Sequence, residues 1–179
     1  ILFMACIMVM SMTIYTLPFG VALGSFFAAS AYMLLRAKAP KTGAIILFGI
    51  LFGLVMFAMG SGWPILASVV VSSIIAELIA RSGDYKGYAR EVIGYCILMM
   101  GTAVGSYIPF LVMKDYYLKL AEGNSINGEF MSRLVEFISG PYLMLALVTT
   151  IVTAILGTML ARAIFKKHLV KAGLIREMK

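Results

Sequence analysis

Between Thr42 and Ala76 the chain runs for 35 residues without one ionisable side chain. As a single straight helix that run would reach about 52 Å at 1.5 Å per residue, far beyond the ~30 Å hydrocarbon core of a bilayer. It must therefore turn back. The breakers concentrate at Gly60-Ser61-Gly62-Trp63-Pro64, where glycine opens unusual dihedrals and Pro64 suits the first turn of a new helix. The run reads as two membrane helices joined by a tight turn. Arg36, Lys38 and Lys41 precede it and Arg81, Lys86 and Arg90 follow it, which puts both outer ends on the cytoplasmic side and Gly60 to Pro64 outside.

The same reasoning extends along the chain. With 62% hydrophobic and 13% charged residues in 179, the sequence lies outside the range of soluble domains and inside that of polytopic membrane proteins. Residues 1–35 again carry no charge and are broken at Pro18-Phe19-Gly20. The expected fold is all-α: a single membrane domain over 1–179, with six transmembrane helices at about 1–17, 20–36, 43–60, 63–80, 92–113 and 142–161. The extracellular connection 114–140 is spaced as two short amphipathic helices around Glu122 to Gly128. Of the 15 Lys and Arg, only Lys114, Lys119 and Arg133 fall in that connection, so both termini are expected in the cytoplasm of a multi-pass membrane protein. The formal charge of +7 is thus a matter of topology and implies no nucleic-acid partner. Because Ile1 lies inside an apolar run without a basic leader, residues 1–17 do not read as a signal peptide, and a preceding segment is expected to be missing.

Small residues recur four apart at Gly20/Gly24/Ala28, Gly49/Gly53, Gly101/Gly105 and Gly157/Ala161. Such stripes let helix backbones approach, either within the bundle or against a partner subunit. Glu77 is the one acid inside an expected span, four residues before Arg81, and an i,i+4 pair is the economical reading. Cys6, Cys96 and His168 have no metal-ligand spacing, so neither a disulfide nor a metal site is expected. No GxxxxGK[ST], GxSxG or HExxH pattern occurs, and nothing argues for an enzyme.

Aromatic residues gather at the outer ends of the spans: Tyr15, Phe19, Trp63, Tyr107, Phe110, Tyr116, Tyr117 and Tyr142. Two readings stand side by side. Trp and Tyr favour membrane interfaces whatever the function; alternatively these rings converge under the long connection as an apolar substrate pocket, with Trp63 foremost because it sits in a turn.

Four segments carry a family resemblance: Lys41-Thr-Gly-Ala-Ile-Ile-Leu-Phe-Gly-Ile-Leu-Phe-Gly53, Met59-Gly-Ser-Gly-Trp-Pro64, Ser82-Gly-Asp-Tyr-Lys86 and Lys166-Lys-His-Leu-Val-Lys-Ala-Gly173. Together they resemble the Trep-Strep, or MptD-like, family of bacterial membrane proteins, which looks like the substrate-binding S components of energy-coupling-factor (ECF) transporters. The resemblance implies a protein of a bacterial plasma membrane that captures a vitamin-like or cofactor-like molecule outside the cell, for micronutrient uptake driven by a transmembrane coupling subunit and two ATPase subunits. Other S components dock through an AxxxA-like stripe on the first span. Its nearest match here is Ala5-x3-Val9, so Ala5, Val9, Gly20, Gly24 and Ala28 stand as the candidate partner interface. No intrinsic cofactor is implied. A cavity lined by aromatics and Met would suit a flat hydrophobic ligand; haem as cargo would need a Tyr or Met iron ligand. The alternative from another class is a stand-alone secondary transporter or channel for a small hydrophobic solute, and a third is a protein that only assembles with others.

Overall fold

A computed structural model of the chain describes residues 2–85, 87–123 and 128–170. The expectations placed on Lys86, on the middle of the 122–128 turn and on the tail 171–179 lie outside the described residues. The fold is all-α. Its helices are α1 (Leu2–Met10), α2 (Gly20–Lys38), α3 (Ala44–Met56), α4 (Trp63–Ser82), α5 (Tyr88–Val112), α6 (Lys114–Gly123), α7 (Gly128–Ile138) and α8 (Tyr142–Ile164). Short tighter or wider turns of helix flank them at Leu17–Phe19, Phe57–Ser61 and Phe165–Val170. With those turns included, five helical segments are long and apolar enough to cross a membrane: Leu17–Lys38, Ala44–Ser61, Trp63–Ser82, Tyr88–Val112 and Tyr142–His168.

The helix expected over 1–17 ends instead at Met10, which gives about 14 Å of helix over Leu2–Met10. Hydroxyl side chains account for the break. Ser11 Oγ donates to the Met8 carbonyl at 2.8 Å and Thr16 Oγ1 to the Met10 carbonyl at 2.6 Å, offering the backbone partners that compete with continued helix. Elsewhere the helices run past the charges that the expected spans excluded. α2 runs on past 36 to take in Lys38, and α5 begins at Tyr88, so Arg90 and Glu91 stand in its first turn.

The five spanning helices and α1 form a ring. α1 packs on α2, α2 on α8, α8 on α5, α5 on α4 and α4 on α3, with α2 also touching α5 across the middle. Side chains close the remaining seam: the Phe3 and Phe52 rings of α1 and α3 meet edge to face at 5.1 Å, and Phe48 stacks on Phe52 at 6.1 Å. Lipid removes the hydrophobic drive between apolar helices, so close approach and interhelical hydrogen bonds do the holding. A Cβ built on Gly157 would lie 2.5 Å from the Phe26 carbonyl oxygen, and one on Gly24 would lie 2.6 Å from the Phe3 ring. Ser68 Oγ donates to the Gly101 carbonyl at 2.6 Å, Tyr95 Oη to the Ser25 carbonyl at 2.5 Å, and Ser25 and Thr153 share a hydrogen bond at 2.9 Å. Exposed Leu47, Leu51, Leu54 and Val55 on α3 and Met144, Val148, Val152 and Leu156 on α8 give the ring the apolar outer surface that a bilayer demands.

Candidate functional site

At the end of the ring away from the basic loops, α5 stops where Met113 leaves helical geometry at φ −118°, ψ 44°, and α6 and α7 lie across the opening as a cap. Their amphipathic spacing decides which side faces down. The charged side chains Lys114, Asp115, Lys119, Glu129, Arg133 and Glu136 are all exposed, and Glu129 and Arg133 pair with each other at 2.7 Å one helical turn apart. Tyr117, Leu134 and Ile138 are buried against Val21, Ala103, Tyr107 and Ala146 from α2, α5 and α8. Burial of these groups, at about 25 cal/mol per Å² of apolar surface, seats the cap.

The outer aromatics divide into three groups. Beneath the cap, Phe110 and Tyr117 tilt together at 4.3 Å, Tyr116 stands perpendicular to Tyr117 at 5.2 Å, and Phe19 packs into the same cluster. Tyr107 belongs to this group too; it is 2% exposed, and its hydroxyl accepts the Val21 N–H at 3.4 Å. At the rim, Phe137 bridges two residues, stacking on Tyr142 at 4.1 Å and meeting Tyr15 edge to face at 5.3 Å. Tyr15 and Tyr142 are otherwise exposed. Trp63 stands at the first position of α4 with half of its surface open.

One hydrogen bond ties the cap to the α3–α4 turn. Tyr117 Oη donates to the Ser61 carbonyl at 3.2 Å, and burial pushes that hydroxyl up to about 12. The turn itself depends on glycine, since Gly60 sits at φ 86° and Gly62 at φ 80°, ψ 166°, a combination essentially closed to other residues. The sequence does not single out Phe137, whose only signal is its place in the amphipathic spacing of the connection 114–140, nor Ser61, whose contribution is a backbone carbonyl and so leaves no mark on residue type.

The candidate interface residues are placed as follows. Gly20 and Gly24 are buried against Ile7, Met10 and Phe3 of α1, Ala28 is partly buried against the core, and Ala5 and Val9 lie with Met8 on the open face of α1. The remaining stripes face neighbouring helices within the ring as well: Gly49 and Gly53 meet Ser73 and Leu66, while Gly101 and Gly105 meet Ser72 and Ser68.

At the basic end two expectations are corrected. Glu77 does not pair with Arg81, which is exposed. Its buried carboxylate accepts the Ile45 N–H at 3.0 Å and the Tyr85 hydroxyl at 3.0 Å, so it caps α3 from the neighbouring helix. The cause is local: Gly43 precedes α3 and offers no side chain to its orphan N–H groups, whose positive dipole end draws a carboxylate. Arg36, expected at the end of the second span as the first residue of a basic loop 36–41, is not a loop charge either. It is buried in the last turns of α2 and grips Glu91 with two bonds, Nε to Oε2 at 2.9 Å and Nη2 to Oε1 at 3.1 Å. Tyr32 donates to the same carboxylate at 3.4 Å, and the Arg36 guanidinium lies 5.0 Å from the Tyr85 ring centre. A signal did exist in the sequence, since Tyr32/Arg36 and Glu91/Tyr95 are i,i+4 pairs on two helices.

His168 is exposed in the turn after α8, and Cys6 and Cys96 are free thiols. Among the described residues no three His, Cys, Asp or Glu side chains gather where they could hold a metal. A family model described as a hypothetical bacterial integral membrane protein (Trep_Strep) matches residues 1–171. No curated protein and no solved structure matches the chain.

Proposed function

We propose that this chain, which belongs to the Trep_Strep family of bacterial integral membrane proteins, is a substrate-binding membrane subunit of the ECF type. It captures a vitamin-like or cofactor-like molecule outside the cell and hands it to a transmembrane coupling subunit and two ATPase subunits for uptake. The observation that supports this best is the aromatic cap: an amphipathic pair of helices lies over the ring at the end away from the basic loops, with aromatic rings from the Leu17–Phe19 turn, α5 and α6 gathered in one cluster there. A concave apolar site with a few polar groups is the common design for small-molecule capture. The chain itself is no enzyme in this reading, and hydrolysis occurs on other chains, in keeping with the absence of a GxxxxGK[ST] loop. The clustering of Lys and Arg puts the connection after α2, the connection after α4 and the end of α8 on the cytoplasmic side in this reading.

Affinity purification of the tagged chain from its native membranes, followed by mass spectrometry of co-purifying proteins and small molecules, tests the assignment. Two ATPase subunits and a coupling subunit are expected beside a bound metabolite. Uptake by the chain alone in proteoliposomes, driven by an ion gradient, would replace this reading with that of a secondary transporter. Orientation is checked separately by Lys38→Cys, which an impermeant thiol reagent should leave unlabelled in intact cells.

A further inference from the structure

Beneath the cap, Tyr107 holds a hydroxyl proton that has no acceptor among the described residues: the one hydrogen bond of that group is accepted, from Val21 N–H. The residue is 2% exposed, and a buried O–H without an acceptor forfeits most of what it lost in leaving water. Around it the cluster is formed by Val21, Ala103, Tyr117, Leu134 and Ala146. Every described charge of the cap points the other way, to the exposed side. Lifting the cap would therefore uncover rings, aliphatic carbon and tyrosine hydroxyls. A carboxylate or ammonium entering there would shed its hydration without gaining a counter-charge from the described residues, and the cost of that is prohibitive.

We propose that the site beneath the cap takes an uncharged, flat, largely apolar molecule carrying a hydrogen-bond acceptor, and that the acceptor receives the Tyr107 hydroxyl proton in a hydrogen bond. The proposal rests on the capture reading above and narrows its substrate class. Phe110, Tyr116 and Tyr117 supply ring faces and edges for offset or perpendicular stacking. Tyr107 supplies the polar contact that fixes orientation. Haem, with its two carboxylates, falls outside this class.

Four probes of one ring size separate the terms: quinoline, neutral with an acceptor nitrogen; naphthalene, neutral without one; quinoline-4-carboxylate, an anion; and N-methylquinolinium, a cation. Equilibrium dialysis against the full chain in nanodiscs, with empty nanodiscs subtracted for partitioning into lipid, gives each dissociation constant. Quinoline is expected to bind saturably, naphthalene roughly two- to tenfold more weakly for want of the hydrogen bond, and both ions at least about tenfold more weakly than quinoline. Tyr107→Phe should bring quinoline down to the affinity of naphthalene and leave naphthalene unchanged. If that variant does not fold, the ranking of the four probes on the parent chain still decides. Tighter binding of either ion, equal affinities for quinoline and naphthalene, or a preference that survives in Tyr107→Phe would each overturn the substrate class while leaving capture intact. Saturable binding of none of the four would overturn the class and the site beneath the cap together.

Discussion

Glu91→Gln offers the sharpest perturbation of the basic end. The substitution keeps the shape of the side chain and one oxygen, but it removes the charge that answers Arg36 and turns an amide donor toward the guanidinium. The two side chains are 1% and 4% exposed, so the orphaned cation cannot simply rehydrate. Breaking a buried pair from one side costs about 3–5 kcal/mol, most of it the penalty of an uncompensated charge. The lower end applies here, because Arg36 keeps the Ala39 carbonyl at 3.3 Å and the face of Tyr85. Removing both charges is a different matter. Arg36→Met combined with Glu91→Leu leaves no buried ion, and its stability is expected within about 1 kcal/mol of the parent. Unfolding by added SDS in mixed micelles, with Arg36→Met, Glu91→Leu and the double variant forming a cycle beside Glu91→Gln, should return a coupling energy of about 5 kcal/mol, since each single leaves one buried charge at a cost of about 3 kcal/mol and the double leaves none. A cost below about 1 kcal/mol for Glu91→Gln, or a double variant as unstable as the two singles summed, would refute the reasoning.

Two further predictions concern backbone geometry. Gly62→Val must adopt φ 80°, ψ 166° and find room where its Cβ would lie 3.2 Å from Tyr117 Oη; it should lose about 1–3 kcal/mol and loosen the cap, seen as faster proteolysis within α6 and α7. Gly157→Ala gains about 1 kcal/mol of helix propensity, yet its Cβ would lie 2.9 Å from both Ala29 Cβ and Phe26 Cα. Net destabilisation of α2 against α8 is expected in the same SDS titration, and a stabilised variant would show that these helices separate at little cost.

Local signals were legible in the sequence and distant ones were not. The uncharged runs require helices that turn back, Gly60 to Pro64 marks one turn by residue type alone, and the spacing of Tyr117, Leu134 and Phe137 marks an amphipathic pair. Each of these depends on neighbours within a few positions. Glu77 was assigned to Arg81 because that partner is four residues away, whereas its actual partner in α3 lies 32 residues back. Arg36 and Glu91 are 55 apart and meet only once α2 and α5 have packed. The early end of α1 had a local cause that the apolar count concealed, since Ser11, Thr13 and Thr16 are small among large residues but compete for backbone partners. The outer placement of the aromatics was readable from their positions at the ends of spans. Their division was not, because which ring faces Phe137 and which faces Ser61 is decided by where the cap settles.

The capping of α3 by Glu77 has a consequence in time. During synthesis the Ile45 N–H leaves the ribosome well before the carboxylate that will accept it, and Gly43 provides no interim side chain. Until α4 follows, the first turn of α3 depends on water for its donors and must stay at the membrane surface, since an unmet N–H is costly in lipid. Glu77 in turn finds its hydrogen-bond partners, Ile45 and Tyr85, outside its own helix. Each strand of this hairpin thus arrives incomplete and is completed by the other, which makes the pair, not the single helix, the unit of membrane insertion.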